Sequence, residues 1–415
     1  MILYLSIFIL VFSNVFLFKH SKKSFSRSPI KMFSCALGLF YTLPSIILGL
    51  FPFEGLFFSI NRSLLAYQNF IIFLFVIVTF LTFNFLKSSK KSYLNFNFNN
   101  TKVIFISVIL ILIGNLTKLH LLNKGLYSLE DTFNEDYKEI PRYLLFIRNL
   151  DLWGFFYLSI LTSKHLFCKK YFKIKLFYFL EIIFLVGFSI FQGRRTGAIL
   201  PIVIFILSYS FYFKIKIRKI IIPVIILLGL VISTTYYRLA LIASSLDSTI
   251  IKNMIFEAIF TRVSNSYIIL NNVIDYGYKT GFDSFLLSLI GLIPSVFLED
   301  KPNLSIGNEF GKELGLININ NVTTGINPGW IGESYYNYGL IGVVFGGVVF
   351  SFLIGYFFKK SSFSYDSSKL LLIMLFIFIF SGFQMEIAAS LNNFLKGFLF
   401  LIFISGFIPR LTFFK

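Results

Sequence analysis

Two adjacent arginines, Arg194 and Arg195, stand between apolar runs in "FLVGFSIFQGRRTGAILPIVIFIL". A guanidinium is a planar fork of donors that pairs bidentately with phosphate oxygens. Two of them at a membrane mouth suit a phosphate or pyrophosphate, and the flanking Gly193 and Gly197 keep the turn tight and its backbone accessible. The same pair could equally do no more than reach lipid headgroups. A second constellation lies in "INPGWIGESYYNYGLIGVVFGG". Pro328-Gly329 enforces a turn, and Trp330, Tyr335, Tyr336 and Tyr338 form an aromatic girdle of the kind found at a membrane–water interface. Aromatic faces suit sugar rings, and Glu333 among them is a carboxylate beside an apolar wall, the setting of a general base. An interfacial belt holding one solvated acid would carry the same pattern.

Other reactive residue types form no such groups. His20, His120 and His165 are scattered and make no zinc constellation, and His120 fits a hydrogen-bonded packing role. Cys35 and Cys168 argue against a disulfide framework or structural metal. The acid pairs Glu130-Asp131 and Glu135-Asp136 fit a solvated loop better than a cation site. Glu181 and Glu386 fall within or at the ends of apolar runs, where ionisable groups face protein or water, and Glu386 with Gln384, Asn392 and Asn393 is placed at the outer end of a groove. No metal and no cofactor is called for.

The elements that must position these residues are membrane helices. The chain has 415 residues, 56% hydrophobic and 14% charged, with a mean hydropathy of +0.80. Runs of about 18 or more apolar residues read as spans. Eleven are expected, at 1–18, 31–51, 64–86, 103–122, 143–162, 176–192, 196–213, 220–237, 337–358, 369–388 and 393–412. Met1 to Phe18 has no basic start and no small-residue cleavage site, so it reads as a retained span. Gly346, Gly347 and Gly355 read as sites of close helix packing.

Charge assigns the sides. Lysines and arginines cluster after the first, third, fifth, seventh, ninth and eleventh runs, with Asp366 the one acid among them, and the positive-inside rule places these loops in the cytoplasm. The net charge of +19 is therefore a topology signal, and nucleic acid is not an expected partner. The chain divides into residues 1–237 (eight spans), 238–336 (one large outer loop) and 337–415 (three spans). Within the loop, "KNMIFEAIFTRVSNSYIILNNVI" has helical amphipathic spacing, which predicts a helix on the membrane surface or capping the bundle.

"GRRTG" after a span, followed by a large outer loop closing with "NPGWIGESYYNYGLIG", resembles the O-antigen polymerase (Wzy) family, over residues 184–358 and in overall topology. The resemblance implies an all-α polytopic protein of the bacterial inner membrane, a membrane glycosyltransferase of GT-C-like architecture. Its members polymerise oligosaccharide repeat units carried on undecaprenyl pyrophosphate, at the periplasmic face and without a metal. A chain-length regulator of the Wzz type and membrane lipids are the implied partners. On this reading Arg194 and Arg195 stabilise the pyrophosphate leaving group, with Arg238 and Arg262 as further pyrophosphate contacts. Glu333 accepts the acceptor proton, and Trp330, Tyr335 and Tyr336 stack on sugar. The alternatives are an O-antigen ligase of similar topology and a lipid-linked oligosaccharide flippase. Transporters tend to show two related halves, and none is visible between residues 1–210 and 210–415.

Overall fold

The computed structural model describes residues 1–21, 28–50, 60–87, 92–95, 100–124, 144, 147–167, 171–191, 195–213, 229, 233, 264–278, 286–287, 290, 293, 311–313, 327–361, 366–404 and 410–413. The apolar runs form helices, because a backbone out of reach of water must satisfy its own hydrogen bonds. In chain order these are α1 (Ile2–His20), α2 (Pro29–Leu50, with one π-helical turn at Gly38–Thr42), α3 (Leu65–Lys87), α4 (Asn100–Asn123), α5 (Leu150–Lys164), α6 (Phe172–Phe191) and α7 (Arg195–Tyr212). They continue as α8 (264–276), α9 (Gly329–Lys360), α10 (Asp366–Gly382) and α11 (Ile387–Ile404). Among the described residues five stretches are long and apolar enough to cross a membrane: Ile2–His20, Pro29–Leu50, Arg62–Leu86, Thr101–Asn123 and Gly329–Lys360. Ile199–Tyr212 and Ser368–Gly382 are apolar but shorter.

Side-chain pairings fix the relative directions. α1 and α3 run parallel, with Ser6 against Asn69 and Phe16 against Phe80. α3 runs parallel to the later part of α9, with Phe75 near Phe350 and Lys359 donating to the Leu86 carbonyl. α4 is antiparallel to α5, and α6 to α7. The basic ends therefore gather together. Lys164, Lys369 and Tyr212 all bond Asp366, and Lys175 donates to the His165 carbonyl. The centre of the bundle is built from aromatic rings, with Phe33 packed against Phe75, Phe350 and Phe383.

Three expectations change. The run 393–412 does not continue as helix: α11 ends at Ile404, and Arg410–Phe413 forms a strand, β2, paired antiparallel with β1 (Ser92–Asn95), Ser92 opposite Phe413. α8 does not lie on a surface. Tyr267, Ile268, Ile269, Leu270 and Val273 are buried, and so is much of its polar side. Asn271 donates to Gln68 (3.0 Å) and to the Asn61 carbonyl (3.1 Å), Gln68 donates to the Tyr267 carbonyl (2.6 Å), and the Tyr267 hydroxyl donates to Asn69 (2.9 Å). α8 is thus a capping helix locked by amides onto the start of α3. The third change is in α9 and shapes the candidate site. The run 220–237 lies outside the described residues, save 229 and 233.

Candidate functional site at the closed end of the bundle

α9 is a hairpin. At Tyr338 the backbone leaves helical geometry (φ −149°), and Gly339 takes φ +58°, a conformation that glycine adopts without strain. The chain then doubles back. Trp330 Nε1 donates to the Gly346 carbonyl at 3.0 Å, although in a straight helix these residues would lie about 24 Å apart. The second limb accepts the first because it presents glycines. A Cβ on Gly342 would stand 1.9 Å from the Ser334 carbonyl oxygen, and one on Gly346 would stand 2.1 Å from Ser334 Oγ. On the other face Gly347 lies against Phe75 and Val78, and Gly355 against Phe83 and Leu86.

The first limb, 329–337, is buried, which relocates the predicted girdle. Trp330 is fully enclosed, its ring among Phe350 and Phe378. It has no face left for a sugar, because its indole serves the hairpin. Tyr336 is also buried and bonds Glu313. Glu333 was expected at an open mouth and is instead 0% exposed, its Oε2 accepting from the Ile387 backbone N–H at 2.5 Å. Ile387 is the first residue of α11, so the carboxylate meets one of the unsatisfied donors, and the positive end, of that helix. That is the position of a cap and anchor, held at one of the two carboxylate oxygens. Gly329 (φ +67°) fits beneath, its Cβ direction 2.6 Å from the Phe383 carbonyl oxygen. Glu386 is buried at the α10–α11 break rather than lining an open groove.

Tyr335 is also buried, but it packs beneath two exposed rings. Its ring lies edge-on to Tyr67 (6.4 Å) and Tyr278 (6.2 Å), and these two are exposed. Tyr278 also packs on Gly339 at the break. Asp275 bonds Asn61 Nδ2 beside them. Tyr67 and Tyr278 were missed in the sequence, and the available signal was their placement at the start of an apolar run and just past an amphipathic one.

Arg194, Arg238 and Arg262 lie outside the described residues. Arg195 is the first residue of α7, and its side chain is outside the described set. Its position in the fold is defined nonetheless. α6 and α7 are antiparallel and joined across 192–194, and α7 ends at the Tyr212–Asp366 contact. The start of α7 at Arg195 is therefore at the end of the bundle opposite the described basic clusters, the end that also carries α8, Tyr335 and the α9 break.

A further polar group was not foreseen as a unit. Lys118 of α4 pairs with Asp151 of α5, side chains 10% and 0% exposed. Asn115, one turn before Lys118, donates to Glu181 of α6 at 2.7 Å. Gly114 and Gly154 make this possible, since the helices cross so closely that a Cβ on Gly114 would be 2.6 Å from the Asp151 backbone nitrogen. Among the described residues no three of His, Cys, Asp and Glu gather as metal ligands. Compared with known protein families, characterised proteins and solved structures, the chain matches none.

Proposed function

We propose that the chain is a membrane glycosyltransferase of the O-antigen polymerase type, joining oligosaccharide repeat units carried on undecaprenyl pyrophosphate at the outer face of a bacterial inner membrane. The observation that supports this reading is the start of α7 at Arg195, at the end of the bundle away from the described lysine clusters and shared with the exposed Tyr67 and Tyr278. By the positive-inside rule that end faces out. There Arg194 and Arg195 take the pyrophosphate of the donor, neutralising the charge that develops as the glycosidic carbon leaves it, with Arg238 and Arg262 on the same loop side as further contacts. The exposed Tyr67 and Tyr278, packed on the buried Tyr335, offer aromatic surface to the sugars. Glu333 contributes from below, by holding the limb that bears Tyr335.

The test is polymer formation from a polyprenyl-pyrophosphate-linked repeat unit by membranes containing the full chain. Arg194→Ala and Arg195→Ala are each expected to lower the rate by about 10²–10³ while the protein still inserts, the usual cost of losing one well-aimed charge donor. Full-length ladders in both variants would reduce the arginines to headgroup anchors and remove the reading. The buried Lys118–Asp151–Glu181 group favours a second one, a transporter of the same lipid-linked glycan, because ionisable side chains inside a membrane often mark coupling sites. Translocation without polymerisation in the same membranes would decide for it.

A further inference from the structure

The group at the α4–α5–α6 junction is short of hydrogen. Asn115 Nδ2 donates to Glu181 Oε2 at 2.7 Å, and Lys118 Nζ donates to Asp151 Oδ2. Three buried oxygens are left without a donor: Asn115 Oδ1, Glu181 Oε1 and Asp151 Oδ1. Charge is unbalanced in the same direction, with two carboxylates to one ammonium. Asp151 is 0% and Glu181 4% exposed, and Lys118 is 8% exposed with its ammonium 5.8 Å from the Phe188 ring centre. Among the described residues the next cation along the chain is Arg148, three residues before Asp151, with its Nε buried. α4 also carries Lys102 and the exposed His120, α5 carries Tyr157 and Lys164, and α6 carries Lys173, Tyr178 and Lys175, whose ammonium is turned to the His165 and Leu166 carbonyls. The described side chains of α7, 199–212, carry no charge.

A carboxylic acid and a primary amide form a closed pair when the acid carbonyl accepts from the amide N–H and the acid O–H donates to the amide carbonyl. Half of that ring is already in place between Asn115 and Glu181, and the other oxygen of each, Asn115 Oδ1 and Glu181 Oε1, is buried without a donor. We propose that Glu181 is a proton-binding site within the membrane, the acid partner of an acid–amide pair with Asn115. One proton on Oε1 neutralises the surplus carboxylate and gives Asn115 Oδ1 its donor. Loss of that proton leaves a bare carboxylate in a region with no water to solvate it, so release must be accompanied by movement of α6 or entry of water. The inference stands on the geometry of the cluster and is independent of the reaction assigned to the arginines.

The experiment is infrared difference spectroscopy of the full-length protein in lipid nanodiscs. At neutral pH a protonated-carboxyl band is expected that is absent in Glu181→Gln. In Asn115→Leu the band should persist at higher wavenumber, since the carbonyl has lost its donor. No band difference between wild type and Glu181→Gln overturns the proposal. Should Glu181→Gln fail to insert, an unmoved band in Asn115→Leu overturns it just as well. Replacing choline by sodium in the buffer should leave the band unchanged; its disappearance would make this a metal-cation site instead of a proton site.

Discussion

Lys118 shows what a single buried charge does. Its partner Asp151 is completely enclosed, and removing one member of a buried ion pair strands the other at a cost of about 3–5 kcal/mol, whereas replacing both with apolar groups is often neutral. Lys118→Met is therefore expected to lower thermal stability sharply, and Lys118→Met with Asp151→Leu to recover most of the loss, as read by unfolding in detergent. A double-variant loss equal to the sum of the losses of Lys118→Met and Asp151→Leu alone would mean the pair is not coupled. Glu333 invites a similar comparison. Glu333→Ala removes the acceptor for the Ile387 N–H and should cost about 1–3 kcal/mol, while Glu333→Gln keeps an oxygen there and should cost much less. A Gln variant as unstable as the Ala variant would show that the carboxylate's charge, and not the hydrogen bond, matters. None of these partnerships could be read from the chain. Lys118 and Asp151 lie 33 residues apart, Glu333 and Ile387 54 apart, and one sequence carries no signal at such separations. The arginine turn is the opposite case, since two charges in an apolar run announce themselves.

Helices were legible wherever apolar residues ran unbroken. α1, α2, α3 and α4 fall close to their expected bounds because nothing competes with the demand for internal hydrogen bonds. The α9 hairpin was hidden for the same reason: both limbs are helical, and a glycine does not reveal beforehand which sign of φ it will take. α8 takes the capping one of the two placements its amphipathic spacing allowed, because its amides bond Gln68 and Asn61 inside the protein. At the basic end one contact ties three helices. Asp366 of α10 accepts from Lys164 of α5 (2.7 Å), Tyr212 of α7 (2.7 Å) and Lys369 (3.1 Å). Burial alone would push its carboxyl up, but these donors together outweigh burial and hold it below the usual carboxylate range. The stabilisation is complete at neutral pH and is lost as the pH falls through that lowered value. Stability of the wild type should fall on acidification by on the order of 1 kcal/mol more than that of Asp366→Asn, the partial exposure of Lys164 keeping the effect small. Parallel pH curves for the two proteins would remove Asp366 from the clamp.

For the whole molecule, the architecture and the charge pattern agree on one polarity, with the lysine-rich ends together and the α6–α7 turn opposite. In a variant lacking Cys35 and Cys168, a cysteine at Tyr278 should be modified by a membrane-impermeant reagent from the outer side, and one at Lys360 only after the membrane is opened. Labelling of both from the same side would contradict the assignment. The doubled-back limb of α9 also bears on how the protein sits among lipids. α10, with 17 residues, rises about 26 Å, short of the roughly 30 Å that a full crossing needs. Limb 329–337 packs on the α10–α11 elbow through Gly329 and Glu333. A bilayer thicker than α10 would load that joint, a piece of backbone hung on one carboxylate and a handful of glycines.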